Sequence, residues 1–324
     1  MSAALSVAGV LTGCIGSMTC VESLAKQQPA AMNLLTFSTF AFIFLEGLIV
    51  TSKFFTVKNQ IPLKGYVPVV ITFFLVNVIN NQALNYHVPV PLHIIFRSGS
   101  LLTNLLMNRL YLGRTYTTKK YLSVVVITVG IIVCTLASAG VEKKEAALSA
   151  EDAAKHYKEW SIGIIMLTVA LLASSFLAIV QESLYTKYGK HPREAMFFIH
   201  GLSLPVFVFM VGDIYKNALE FNNSAPVSLL GVDTGIPNMW VNLLGACIGQ
   251  WVCILFVYQL NSKVDSLTVT LVVTLRKFLS LLISIFWFGN VFTATHWVGA
   301  ALVFGGTLAF SDFGAAKKVE KKKQ

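Results

Sequence analysis

Residues 121–140 have the sequence YLSVVVITVGIIVCTLASAG and contain no charged side chain. An α-helix of that length extends about 30 Å, which matches the hydrocarbon core of a lipid bilayer. Similar stretches fill most of the chain and predict ten membrane-spanning helices. The predicted spans are residues 3–21, 31–51, 65–86, 92–112, 120–140, 160–182, 194–212, 238–259, 266–288 and 295–313.

The composition excludes the soluble classes of protein. Of the 324 residues, 55% are hydrophobic and 12% are charged, whereas a soluble domain carries about 25% charged residues. A soluble enzyme, a nucleic-acid-binding protein and a disulfide scaffold are therefore excluded, and we predict an all-α membrane protein. Five cysteines lie in apolar segments without a CxxC pair and are interpreted as small packing residues. They are Cys14, Cys20, Cys134, Cys247 and Cys253.

The basic residues predict the orientation in the membrane. With ten spans and both termini in the cytosol, 16 of the 25 Lys and Arg residues fall on the cytosolic side and six on the luminal side. Cytosolic loops carry the excess of such residues, so this orientation is favoured. The Asn222-Asn223-Ser224 sequon then lies in the lumen, where Asn222 is a candidate glycosylation site.

The chain divides into two similar halves. Residues 1–140 and 160–313 each hold five predicted spans, residues 141–159 form a polar luminal connector, and residues 314–324 form a basic cytosolic tail. A faint similarity aligns Gly113 with Gly289 and Gly130 with Gly306. Since five is odd, the second half is inserted upside down, which predicts the inverted repeat typical of secondary transporters.

Three cations fall inside predicted spans, where a charge costs about 2.5–3.5 kcal/mol on insertion scales. Arg97 belongs to a polar stripe with helical spacing, and Lys277, beside Arg276, belongs to another. The stripes are His93, Arg97, Ser100, Asn104 and Asn108, and Ser266, Thr270, Thr274, Lys277, Ser280 and Ser284. We expect these cations to bind an anionic ligand, with Glu22 as their main counter-charge.

Other polar and small residues leave alternatives open. A third polar face could contact a sugar or uracil, or could join helices. It comprises Asn77, Asn80, Asn81, Asn85 and Tyr86. His200 and Gln250 are interpreted as packing residues. The pairs Gly9/Gly13 and Gly245/Gly249 favour close helix approach, either inside the fold or across a homodimer. No catalytic motif is found, so neither an enzyme nor a cofactor is expected.

Four segments resemble the endoplasmic reticulum and Golgi nucleotide-sugar transporters of solute carrier family 35, subfamily B. They are VINNQALN at 78–85, PLHIIFRSGSL at 91–101, GKH at 189–191 and SLTVTLVVTLRKFLSL at 266–281. The resemblance implies a ten-helix drug/metabolite-transporter fold. It also implies exchange of cytosolic UDP-N-acetylglucosamine or UDP-xylose, or both, for luminal UMP. The open alternatives are another phosphate-bearing solute, such as another nucleotide sugar or an adenine nucleotide, and a receptor or scaffold without transport.

The resemblance also implies where substrate binds, namely between the halves near Arg97, Arg276 and Lys277. We expect Arg276 and Lys277 to neutralise the diphosphate and the amide face to contact uracil or sugar. The full candidate set is Lys277, Arg276, Arg97, Ser98, Ser100, Thr270, Thr274, Asn80, Asn81, Asn85, Tyr86 and Glu22. Lys321 and Lys322 resemble a dilysine retrieval signal read by coat machinery, which implies the endoplasmic reticulum membrane with cycling through the Golgi.

Overall fold

The computed structural model describes residues 3–86, 88–145, 150–229, 232–261 and 266–310, and these are almost entirely helical. The first six helices are α1 (Ala3–Gln27), α2 (Met32–Val50), α3 (Leu63–Gln82), α4 (Val90–Ser98), α5 (Ser100–Leu112) and α6 (Thr118–Glu145). The others are α7 (Ala150–Tyr188), α8 (Pro192–Ser203), α9 (Val211–Asn222), α10 (Asn238–Asn261), α11 (Ser266–Phe286) and α12 (Ala294–Phe310). Strands β1 (Pro226–Leu229) and β2 (Val232–Pro237) form an antiparallel pair.

The prediction of an all-α membrane protein is confirmed in its broad form. Within the described residues, seven helical segments are long and apolar enough to cross a membrane. They are Ala4–Gln27, Pro29–Val50, Leu63–Asn85, Thr118–Val141, Ala154–Tyr188, Pro192–Asn222 and Asn238–Leu260. Large apolar side chains face outward, as lipid contact requires: Phe209 is 88% exposed and Leu110 is 76% exposed. The count of ten spans stays a prediction.

Two of the predicted spans are not single continuous helices in the structure. The fourth is divided at Gly99 into α4 and α5, so its polar stripe does not follow one continuous helix. The seventh extends to Asn222, because a 3-10 turn at Leu204–Met210 joins α8 to α9. Pro205 lies in that turn and has no N–H for an α-helical hydrogen bond. The loop expected after residue 212 is instead α9 and the β1–β2 hairpin.

Close helix contacts depend on glycines that face each other inside the fold. Helix α1 packs on α10, and a Cβ on Gly13 would lie 2.9 Å from the backbone nitrogen of Cys253. A Cβ on Gly249 would lie 2.8 Å from the backbone nitrogen of Ser17. Gly9 and Gly245 also face the opposite helix, at Phe256 and Cys20. The two GxxxG pairs therefore join α1 to α10 within the chain.

A disulfide bond joins Cys14 of α1 to Cys253 of α10. The interpretation of all five cysteines as packing residues is therefore wrong for this pair. The two residues are 239 positions apart in the sequence, so local spacing could not indicate that their helices are neighbours. Cys20, Cys134 and Cys247 are free, in agreement with the interpretation of them as packing residues.

Thiol counting tests this disulfide directly. In denaturant without reductant, we expect alkylation of three cysteines, and after reduction we expect all five to be alkylated. The measurement is the intact mass of the protein after alkylation. A Cys14→Ala variant releases Cys253 and should show four alkylated cysteines without reductant. Alkylation of all five in the unreduced protein would contradict the assignment.

Candidate functional site

A cavity of about 360 Å³ lies in the centre of the helical bundle. Its lining comes from eight helices, namely α1, α2, α3, α4, α7, α8, α10 and α11. Small-molecule sites have volumes of about 300–1,000 Å³ and hold a few polar groups in a largely apolar wall. The cavity therefore has the size and position of a site for a small ligand.

The three cations predicted from the sequence all line this cavity. They are Arg97 of α4 and Arg276 and Lys277 of α11. The Arg276 guanidinium approaches the Cys253 sulfur, with 3.3 Å between Nη1 and Sγ. Of the described residues that line the cavity, none is an aspartate or glutamate. An excess of positive charge without a carboxylate favours an anionic ligand.

The break between α4 and α5 supplies an acceptor for one of these cations. Helix α4 ends at Ser98, and the backbone N–H of Gly99 bonds to the carbonyl oxygens of Phe96 and Arg97. Carbonyl groups at the end of a helix carry partial negative charge. One of them, the backbone oxygen of Arg97, accepts a hydrogen bond of 3.3 Å from Lys277 Nζ. This hydrogen bond therefore joins α11 to the end of α4 beside the cations.

Amide side chains of α3 line the wall next to the cations. Asn80 and Asn81 both reach the cavity. Asn81 Nδ2 donates to Thr36 Oγ1 of α2 at 2.8 Å, and Asn80 Nδ2 donates to Asn81 Oδ1 at 3.3 Å. Asn81 therefore joins α3 to α2 while it lines the cavity, and its contact with a sugar or uracil stays a prediction.

Glu22 does not serve as the counter-charge in the cavity. Its carboxylate accepts hydrogen bonds from Ser284 Oγ at 2.6 Å and from Asn290 Nδ2 at 2.5 Å. The residue is 1% exposed and is absent from the cavity lining. Because both donors bond to Oε1 and the side chain does not line the cavity, Glu22 ties α1 to the end of α11, and the expectation for it is corrected.

Several other candidates also lie away from the cavity. Ser98 donates to the carbonyl of Ile94 at 3.4 Å, and Asn85 Nδ2 donates to Gln82 Oε1 at 3.4 Å. Tyr86 packs beside Gly163 of α7. The cavity lining does not include Ser98, Ser100, Thr274, Asn85 or Tyr86, and the side chain of Thr270 lies outside the described residues.

The structure adds lining residues that sequence reasoning did not assign. His200 and Gln250, interpreted as packing residues, both face the cavity, as do Gln181 and Tyr258. These four lie singly on apolar helices, so no stripe could distinguish them. His93 also lines the cavity. It lies four residues before Arg97 in the predicted stripe, and that spacing could have identified it.

The predicted glycosylation site lies outside the bundle. Asn222 is exposed at the end of α9, and its Oδ1 accepts a hydrogen bond of 2.8 Å from Trp240 Nε1. Lys321 and Lys322 lie outside the described residues.

Comparison with known proteins indicates the family of this chain. The profile of the UAA transporter family matches residues 2–314. A protein of Danio rerio named UDP-xylose and UDP-N-acetylglucosamine transporter is 46% identical over 96% of this chain and 94% of its own length. A Drosophila melanogaster protein named endoplasmic reticulum GDP-fucose transporter is 46% identical over 96% of this chain and 91% of its own length. The human protein named nucleotide sugar transporter SLC35B4 is 43% identical over 96% of this chain and 94% of its own length.

Proposed function

The chain belongs to the UAA transporter family and is a nucleotide-sugar transporter rather than an enzyme; we propose that it exchanges UDP-N-acetylglucosamine or UDP-xylose, or both, for UMP. The names of the Danio rerio and human relatives support this class of substrate. A receptor or scaffold without transport, considered from the sequence, is set aside by the family.

The single observation that carries the proposal is the charge of the cavity. Arg97, Arg276 and Lys277 surround one space whose described lining holds no carboxylate. The diphosphate of a UDP-sugar carries two negative charges, which would offset much of the cost of these buried cations. UMP presents a phosphate to the same groups, so substrate and product compete for one site.

Exchange follows from the cost of an empty cavity. Three uncompensated cations in a low-dielectric bundle destabilise any state in which no anion is bound. The change between the two access states should therefore occur most readily with a nucleotide in place. In this mechanism, UMP leaves the site before a nucleotide sugar binds there, and the transporter changes its access state with one of the two bound.

Ten spans in two inverted halves form the proposed scaffold. If α4 and α5 together make one span, and α8 and α9 make another, the described helices supply ten. Helix α1 packs on α10, and α3 packs on α7. In the order of the ten spans, these are contacts of span 1 with span 8 and of span 3 with span 6. A shift of five spans converts each contact into the other, as a repeat of five spans requires. Gly113 and Gly289, aligned between the halves, both follow a helix and have φ of 62° and 65°.

The cellular setting is proposed from the sequence and one relative. We place both termini in the cytosol, the 141–159 connector and Asn222 in the lumen, and the protein in the endoplasmic reticulum with cycling through the Golgi. The name of the Drosophila melanogaster relative includes the endoplasmic reticulum. A homodimer remains a proposal without support from the GxxxG pairs, because those face each other within the chain.

Uptake into liposomes tests the proposed exchange. Purified protein is reconstituted, and uptake of radiolabelled UDP-N-acetylglucosamine is measured with and without UMP inside the vesicles. We expect internal UMP to increase the initial rate severalfold, because it keeps the cavity occupied on the return step. Equal rates with and without UMP would contradict exchange, and folded protein without uptake of any nucleotide sugar would contradict the proposed function.

A second substrate is favoured by one relative. The Drosophila melanogaster protein named for GDP-fucose is as similar to this chain as the Danio rerio protein named for UDP-sugars. Competition against labelled UDP-N-acetylglucosamine by UDP-xylose, GDP-fucose and ADP ranks the sugars and the bases in one experiment. We expect UDP-xylose to compete best. Stronger competition by GDP-fucose would assign the chain to the second substrate.

A further inference from the structure

Gln250 presents its side-chain amide to the central cavity. It belongs to a row of α10 residues spaced four apart that all line the cavity, namely Ala246, Gln250, Ile254 and Tyr258. Ile248 is two positions away and so about 200° around the helix, and it is 41% exposed on the outer surface of the bundle. Gln250 therefore points inward, away from the outer face of α10.

The amide of Gln250 is accessible to a ligand. Among the described residues, none forms a hydrogen bond with either amide atom, and neither atom is one of the fully buried polar atoms that lack a partner. Both atoms therefore keep accessible surface, and the residue as a whole is half-buried. A polar group inside a membrane protein is costly unless it joins helices or meets a ligand or water. Because no bond between helices is found for Gln250 in the described part of the chain, its amide is available to a ligand.

The cations of the cavity lie about one helical turn from this amide. Cys253 follows Gln250 by three positions on α10, so the two residues are neighbours on the helix surface. The Arg276 guanidinium approaches the sulfur of Cys253, with 3.3 Å between Nη1 and Sγ. A phosphate held by Arg276 therefore lies close to Gln250, and the next group along the ligand is within reach of the amide.

We infer that Gln250 is a specificity-determining residue that forms a hydrogen bond with the acetamido group of UDP-N-acetylglucosamine. This inference rests on the proposed function and names a contact within that same site. In this ligand the β-phosphate is attached to C1 of the sugar and the acetamido group to C2, so the acetamido group is the sugar substituent nearest to the diphosphate. It offers a carbonyl acceptor and an N–H donor, and a glutamine amide offers the complementary donor and acceptor. UDP-xylose has a hydroxyl at C2, and UMP lacks this sugar altogether.

Variants and ligands together test this contact. Gln250→Met keeps the length of the side chain and removes the amide, and Gln250→Ala repeats the test with a smaller side chain. Ile254→Met is the matched control, because it introduces methionine one turn away in the same row of α10. Inhibition constants for UDP-N-acetylglucosamine, UDP-glucose and UMP are measured on folded, reconstituted protein. UDP-glucose differs from UDP-N-acetylglucosamine only in carrying a hydroxyl in place of the acetamido group.

We expect the unsubstituted protein to bind UDP-N-acetylglucosamine about threefold to tenfold more tightly than UDP-glucose, which is the range for one neutral hydrogen bond. The shorter hydroxyl of UDP-glucose leaves the amide of Gln250 unpaired. Gln250→Met and Gln250→Ala should bring the two constants to within about twofold of each other by weakening UDP-N-acetylglucosamine alone. UDP-glucose and UMP should change by less than about twofold, and Ile254→Met should keep the original ratio.

Several outcomes overturn the inference and leave the proposed function intact. Equal constants for the two sugar nucleotides in the unsubstituted protein would exclude an acetamido contact without any variant. A ratio that persists in the Gln250 variants would place the contact elsewhere, and an equal weakening of UMP would assign Gln250 to the nucleotide part of the ligand. Loss of the ratio in Ile254→Met as well would indicate a change in cavity shape. An unsubstituted protein that binds no nucleotide overturns the proposed function itself.

Discussion

The Lys277→Ala variant is expected to lose nearly all nucleotide-sugar uptake. Lys277 lines the cavity beside Arg276 and is held near Arg97 by its hydrogen bond to the backbone oxygen of that residue. Removing one partner of a buried, hydrogen-bonded charge pair costs about 2–5 kcal/mol. Applied to the proposed phosphate contact, this corresponds to a loss of about a hundredfold in uptake at low substrate concentration.

The measurement is the initial rate of uptake per amount of folded, reconstituted protein. Lys216→Ala is the matched control, because it removes the same charge from an exposed position on α9. The control should transport at the normal rate. A normal rate for Lys277→Ala would contradict the phosphate contact, and an equal loss in both variants would indicate a general effect of charge.

The Gly249→Ala variant is expected to be strongly destabilised. The added Cβ would lie 2.8 Å from the backbone nitrogen of Ser17 and 2.9 Å from the backbone oxygen of Gly13. Both contacts are with backbone, so no side chain can move aside, and α1 and α10 must separate. The Cys14–Cys253 disulfide opposes that separation. Overpacking of this kind costs about 1–3 kcal/mol or more.

The thermal unfolding midpoint in detergent measures this effect. Gly16→Ala is the matched control, since it lies in α1 and its added Cβ would meet no atom within 4 Å. We expect the control to keep or slightly raise the midpoint, because alanine favours a helix over glycine, and Gly249→Ala to lower it. Similar midpoints for the two variants would show that the α1–α10 contact is looser than described.

The helices and the cations could be predicted because they depend on local chemistry. An apolar stretch of about 20 residues is sufficient for a membrane helix, and residues 121–140 lie within α6 as expected. A charge inside such a stretch is costly wherever it occurs, so Arg97, Arg276 and Lys277 could be selected without knowledge of their neighbours. All three line the cavity.

The remaining site residues depend on which helices are neighbours. Glu22 was expected near the cations, but its Oε1 accepts hydrogen bonds from Ser284 and Asn290 instead. Gln181 and Tyr258 reach the cavity from α7 and α10 without any local pattern to mark them. Side-chain chemistry indicates what a residue could bind, while packing determines which partner it meets first.

The sequence alone thus determined the helical membrane class, the family resemblance and the cationic character of the site, since each follows from residues close together in the chain. Only the tertiary structure decided the pairing of Cys14 with Cys253 and of Glu22 with Ser284. Each of these arises where segments distant in sequence compete for the same space or the same hydrogen bond. That competition is settled by packing, which no local pattern encodes.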